Sequence, residues 1–278
     1  VTGAGKTEAA LILAHRLIPA GTAQGRFFGL PTMATANAMY DRLVKTWLAF
    51  YSPESRPSLV LAHSARTLMD RFNESLWSGD LVGSEEPDEQ TFSQGCAAWF
   101  ADSNKKALLA EIGVGTLDQA MMAMMAVMPF KHNNLRLLGL SNKILLADEI
   151  HACDAYMSCI LEGLIERQAR GGNSVILLSA TLSQQQRDKL VAAFARGTEG
   201  QQEAPFLEKD DYPWLTHVTK SDVNSHRVAT RKDVERSVSV GWLHSEQECI
   251  ARIESAVSQG KCIAWIRNSV DDAIKVHR

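Results

Sequence analysis

The feature that most constrains this chain is a rhythm: short, continuously apolar runs, each feeding into a stretch with helical spacing. Arg26–Leu30 (RFFGL) precedes PTMATANAMYDRLVKTW, and Ser58–Ala62 is a second short apolar run. Lys143–Ala147 (KILLA) precedes a helix expected from about Tyr156 to Arg170, stopped by Gly171 and Gly172. Ser174–Leu178 (SVILL) precedes a helix expected from about Ser183 to Arg196, stopped by Gly197. A strand with one wet face alternates apolar and polar residues, whereas a run apolar at nearly every position is buried on both faces. Short two-faced strands alternating with helices predict a parallel sheet covered on both sides, a doubly wound α/β domain.

Two segments break the rhythm. Gly79–Gln94 is polar, holds Glu85, Glu86, Asp88 and Glu89, and reads as an exposed insertion that keeps like charges solvated. Gly197–Arg236 is mixed, with Pro205 and Pro213, and reads as a connection. The α/β pattern then restarts. Strands are expected at Ser237–Leu243 and Lys261–Ile266. Between them Ser245 and Glu248 form the two ends of an expected capping box, opening a helix to about Ser258 with Gly260 as its stop. A last helix begins near Val270. The expected division is residues 1–196, a connection over 197–236, and a second α/β unit over 237–278.

Composition excludes several classes. The 278 residues are 45% hydrophobic and 22% charged, ordinary for a soluble globular chain. The net charge of −3 supplies no bulk positive field for nucleic acid, so any such contact must be local. The cysteines Cys96, Cys153, Cys159, Cys249 and Cys262 form no C-x-x-C pair and read as reduced thiols of a cytoplasmic protein. The apolar run Ala120–Phe130 is too short to span a bilayer, so no membrane partner is expected.

Three motifs carry chemistry. Thr2-Gly3-Ala4-Gly5-Lys6-Thr7 reads as the end of the phosphate-binding loop G-x-x-x-x-G-K-[ST], in which glycines turn backbone N–H groups toward phosphate oxygens. Lys6 would reach the β- and γ-phosphates of ATP, and the Thr7 hydroxyl would hold Mg²⁺. The helix this requires is expected over Glu8–Leu17; the first motif position and the feeding strand would precede Val1. Asp148-Glu149-Ile150-His151 follows KILLA directly. A strand-end Asp148 can hold Mg²⁺, and Glu149 can polarise the attacking water as a general base. Ser179-Ala180-Thr181 follows SVILL and also suits the cap of the next helix.

G-x-G-K-T, D-E-x-H and S-A-T, in this order and each at an expected strand end, resemble superfamily 2 helicases of the DExH type. Further cues are LPT-x-ATANAM from Leu30, GT-x-DQ from Gly115, LR-x-x-GL from Leu135, DE-x-HA-x-D from Asp148, ILLSATL and CIAWIRNS. Together they resemble the CRISPR-associated helicase–nucleases of type I interference, with matches from Thr2 to about Asn268. The resemblance implies a RecA-like motor domain, the start of a second one, and an ATP- and Mg²⁺-dependent translocase on single-stranded DNA. It also implies recruitment by the RNA-guided surveillance complex. His151, Ser179 and Thr181 would couple the nucleotide site to the DNA groove, while Thr32, Thr116, Arg267 and Asn268 would face DNA. A helix-start cap remains a second reading for Thr32, and a strand cap for Arg267 and Asn268.

None of the eight His residues is followed by Asp, so the family's HD nuclease dyad is not in this chain and nuclease chemistry is not assigned to it. The isolated chain is expected to unwind little, because ATP in this class is completed by groups from both motor domains. Two other readings stand beside the leading one. The first is another superfamily 2 ATPase, such as an RNA helicase or restriction-type translocase. The second is a fragment that only binds a partner.

Overall fold

The computed structural model describes residues 5–21, 23–50, 58–62, 104–125, 130–199, 213–229 and 238–277. Thr2, Gly3, Ala4 and the acidic stretch Gly79–Gln94 lie outside these residues. The described chain divides into two compact units, Val1–Val234 and Glu235–Arg278.

The first unit begins with α1 (Lys6–Leu17), β1 (Gly25–Leu30), α2 (Met33–Phe50) and β2 (Leu59–Ala62). A short helix α3 (Asn104–Ala107) leads into β3 (Ile112–Thr116), α4 (Leu117–Met121) and a 3₁₀ turn at Met122–Met124. Next come α5 (Phe130–Leu140), β4 (Lys143–Ala147), a 3₁₀ turn at Ile150–Ala152, α6 (Ala155–Arg170), β5 (Val175–Leu177) and α7 (Gln184–Gly197). The five strands form one parallel sheet in the order β2-β3-β1-β4-β5, as two-faced apolar runs require. β1, β3 and β4 are buried at every position. Phe27 and Phe28, on opposite faces of β1, are both almost wholly enclosed. One apolar core joins them to Leu11 of α1, Tyr40 of α2 and Leu145 of β4. A second gathers Leu117 and Ile150 with Leu161 and Ile165 of α6 and Ala193 of α7.

The register levels the strand ends. Leu30 pairs with Thr116, Gly29 with Ala147, and Ala147 with Leu177, so the residues that follow all emerge at one sheet edge. That edge is where open parallel sheets carry their sites.

Several elements differ from expectation. β3, with the sequence IGVGT, lies inside the sheet, although its two glycines blur an apolar run. Gly113 is there for space: a Cβ on it would stand 2.8 Å from the Phe27 ring. The expected connection contains an antiparallel hairpin, β6 (Trp214–Val218) and β7 (Val223–Arg227). Gly197 does not stop α7 by a left-handed turn. It is the helix's last residue, and a Cβ would meet Glu166 O at 2.3 Å, so close approach of α6 and α7 explains it. Gly171 and Gly172 do end α6: Gly172 takes φ +74° while its N–H bonds Ala169 O, and Asn173 N–H bonds Gln168 O.

In the second unit, α8 (Glu246–Ser258) and α9 (Val270–His277) form as expected. The expected strands do not: residues 238–244 and 261–267 join no ladder among the described residues. An apolar run becomes a strand only when a neighbour takes its backbone groups. Val238, Val240 and Trp242 are 79%, 80% and 85% exposed, so the run is uncovered as well as unladdered. The box at Ser245 is altered too. Ser245 Oγ accepts from Glu248 N–H at 3.2 Å, but Glu248 reaches back to the His244 N–H, at 2.9 Å. No helix among the described residues is long and apolar enough to cross a membrane.

Candidate nucleotide site

The phosphate-loop end sits at the start of α1. Gly5 is its N-cap in the left-handed region, φ 78° and ψ 20°, where a side chain would be strained. That conformation turns the chain into the helix and lets Ala9 N–H bond Gly5 O at 2.9 Å. Lys6 and Thr7 are therefore first-turn residues, close to the positive end of the helix. Glu8, one residue on, forms an ion pair with Arg42 of α2.

Asp148 leaves β4 at the levelled edge, anchored by its N–H to Gly29 O at 3.0 Å. Thr7 Oγ1 lies 3.5 Å from Asp148 Oδ2, joining positions 141 residues apart in sequence. Asp148 is 9% exposed, and burial pushes its carboxyl above the usual range. The Glu149 N–H, donated to Asp148 Oδ1 at 2.8 Å, and the Lys6 charge pull it back down, while the Glu149 charge adds to the rise. A desolvated carboxylate beside a hydroxyl is a pair of hard oxygen donors suited to a small divalent cation.

Glu149 is the strained residue. It takes φ 53° and ψ 42°, a left-handed conformation that costs a non-glycine residue about 1–2 kcal/mol. Ile150 N–H bonds Leu178 O at 3.2 Å and Ala152 N–H bonds Glu149 O at 2.9 Å, which holds the turn in that shape. The turn directs Glu149 toward His151: Oε2 stands 3.1 Å from Nδ1. That contact has ion-pair distance without hydrogen-bond alignment, and it is ionic only when the imidazole is protonated. His151 Nδ1 also lies 3.2 Å from Ser179 Oγ, which donates to Thr181 O at 2.6 Å. The structure thus brings Thr7, Asp148, Glu149, His151 and Ser179 together. Thr181 enters through its carbonyl, its side chain being exposed.

Thr32 and Thr116 follow neighbouring strand ends but differ in presentation. Thr32 caps α2, with Oγ1 accepting from Thr35 N–H at 3.2 Å and Thr35 returning the bond to Thr32 O at 2.9 Å. It is exposed, so the cap and a surface contact are compatible. Thr116 precedes α4 and is 7% exposed, which leaves its hydroxyl little surface to offer. In the second unit Arg267 stacks 5.1 Å from the Trp265 ring centroid and donates to Glu246 at 2.9 Å, while Asn268 is exposed. Arg187 of α7, which donates to Thr216 and Ser225 of the β6–β7 hairpin, has no signal in the sequence, and neither has the hairpin. A single Arg in a helix carries no motif, and the polar strands WLTHV and VNSHR lack the two-faced apolar signature.

No family model matches the chain. A CRISPR-associated endonuclease/helicase Cas3 from Escherichia coli K12 is 41% identical over 283 residues, covering 98% of this chain and 30% of that protein. The Cas3 of Thermus thermophilus is 34% identical over 99% of this chain and 28% of its own length. The crystal structure of T. fusca Cas3 superposes with a TM-score of 0.74 at 30% identity, covering 99% of this chain and 30% of the other. This chain belongs to the Cas3 helicase–nuclease family. It spans about 30% of the length of the relatives it matches. The ATP-bound T. fusca Cas3 superposes at 0.72, 30% identical over 99% of this chain and 30% of that one. A chain of an RNA-guided surveillance complex in its pre-nicking state superposes at 0.58, 27% identical over 92% of this chain and 26% of that one.

Proposed function

We propose that this chain is the ATP-hydrolysing part of a Cas3-type helicase that moves along single-stranded DNA in CRISPR type I interference, in the cytoplasm. Residues 1–196 form the first RecA-like domain, 197–236 the connection and 237–278 the beginning of the second. The observation that carries the reading is the meeting of Thr7 with Asp148 at the sheet edge, beside Lys6 and the strained Glu149.

The roles follow from position. Thr2, Gly3, Ala4 and Gly5 supply backbone N–H groups to the phosphates, and Lys6 neutralises charge on the β- and γ-phosphates. Thr7 and Asp148 would hold Mg²⁺, which supplies charge neutralisation at the transferring phosphoryl group. Two protein ligands suit an ion that keeps water and phosphate oxygens in its remaining positions. Glu149 orients and deprotonates the attacking water. His151 and Ser179 lie against Glu149 on one side and the start of α7 on the other, a placement suited to signalling nucleotide state. Exposed Thr32, with Arg267 and Asn268, would face the DNA backbone, where hydroxyl and guanidinium donors fix position without reading sequence; Thr116, being buried, would support that edge from behind. The pre-nicking complex among the structural neighbours supports the RNA-guided surveillance complex as partner.

The test is ATP hydrolysis by the polypeptide as its gene encodes it, with single-stranded DNA or RNA added. DNA should stimulate more than RNA. Lys6→Ala should abolish turnover, and Glu149→Gln should bind ATP yet turn it over at least ~100-fold more slowly, the range general-base removal gives. Equal stimulation by RNA would favour an RNA helicase, and unimpaired Glu149→Gln would remove the water-activating role.

A further inference from the structure

Arg187 joins the helix behind the Ser179–Thr181 turn to the hairpin. It lies four residues after the α7 N-cap Ser183 and is 7% exposed. Its Nη1 donates to Ser225 Oγ at 3.1 Å and to Thr216 Oγ1 at 3.4 Å. Those hydroxyls are directly opposed in the β6–β7 register and lie 2.9 Å apart. Asp188 Oδ1 stands 3.7 Å from Nη2 and accepts from Gln184 at 2.7 Å. A buried guanidinium bonded to a pair of hydroxyls is a fixed joint, because breaking it leaves a desolvated cation.

The joint sits in a continuous series of contacts. Glu149 meets His151, His151 meets Ser179, and Ser179 holds Thr181 O, two residues before the cap of α7. The capping box of Ser183 and Gln186 makes the first turn of α7 stiff. At its other end the salt bridge of Glu166 with Arg196 (3.0 Å) and the close approach at Gly197 lock α7 to α6. In chain order the hairpin is the last described element before the second unit.

We propose that Arg187 is a positioning residue that makes the β6–β7 hairpin follow the helix behind the Ser179–Thr181 turn. The nucleotide state thereby reaches the chain leading to the second unit. The proposal rests on the hydrolytic reading above.

The experiment compares ATP hydrolysis with and without single-stranded DNA in the polypeptide as its gene encodes it, for wild type, R187A, R187K and T216V/S225A. R187A should keep the unstimulated rate, at a lowered thermal midpoint because a buried side chain is removed, but lose DNA stimulation by about fivefold or more, the scale of a real coupling. T216V/S225A should lose it similarly, R187K should restore only part, and adding R187A to T216V/S225A should remove nothing more. Unchanged stimulation in R187A overturns the proposal. So does an equal fall in stimulated and unstimulated rates, which marks a merely structural role. If R187A does not fold, T216V/S225A, which leaves the backbone ladder intact, decides by the same two criteria. A wild type without DNA-stimulated hydrolysis sinks the parent reading instead.

Discussion

Lys143 should make the stability of this protein rise with pH through a range where most proteins gain little. It opens β4 at the edge away from the nucleotide site, is 6% exposed, and donates from Nζ to Leu108 O and Ala110 O. Burial pushes its pKa down to about 7, with the nearby Glu111 charge pulling it back up. A neutral amine has two N–H bonds, matching the two carbonyls it meets. Below pH 7 both folded and unfolded states carry the proton, and stability does not change with pH on this account. Between about 7 and the unfolded value of 10.5 the unfolded chain holds a proton that the folded chain lacks. Stability therefore rises by about 1.4 kcal/mol per pH unit. Lys143→Met removes the titration, and its two orphaned carbonyls cost about 1–3 kcal/mol each at every pH. The advantage of wild type over K143M should thus grow by about 4 kcal/mol from pH 7 to 10. Urea unfolding at four pH values checks this. Parallel stability curves would refute a neutral Lys143 in the folded state.

Two further changes probe the site and its support. Gly197→Ala gains up to about 1 kcal/mol of helix propensity but forces a Cβ against backbone, and overpacking of this kind costs about 1–3 kcal/mol. The loss should win, because the Glu166 carbonyl 2.3 Å away cannot rotate aside, and a thermal midpoint equal to or above wild type would contradict it. Asp148→Asn should abolish ATP turnover yet stabilise the fold in EDTA at neutral pH, since burial raises the Asp148 pKa and ionisation costs folding energy. That gain should develop as pH climbs from the unfolded carboxyl value through the folded one. A less stable D148N at pH 7 would show that the carboxylate is better satisfied than its burial implies.

Legibility in the sequence tracked locality. KILLA announced β4 because a strand buried on both faces must be apolar along its whole length, and SVILL announced the half-buried β5 by the same apolar run. β3 escaped notice because Gly113 and Gly115 replace apolar side chains where Phe27 and the Ala62 carbonyl need room. The hairpin escaped because only one face packs, and its anchor on α7 is a cation on two hydroxyls. Ser237–Leu243 showed the reverse error. Its apolar alternation was genuine, but alternation supplies no neighbour to close a ladder. At the site, the chemistry of Lys6, Thr7, Asp148 and Glu149 was readable from motif order, whereas the low exposure of Thr116 was not.

What the sequence by itself determined is the inventory: two-faced strands, helix caps, and a phosphate loop and acidic pair each placed at a strand end. Backbone sterics and side-chain burial set these within a few residues, so a local window contains them. Only the tertiary structure decided which parts meet. It placed Thr7 against Asp148 across 141 residues, set Glu149 in a left-handed turn facing His151, and seated Arg187 on Thr216 and Ser225. Those pairings depend on sheet order, register and the packing of distant helices, and no short stretch of chain carries that information.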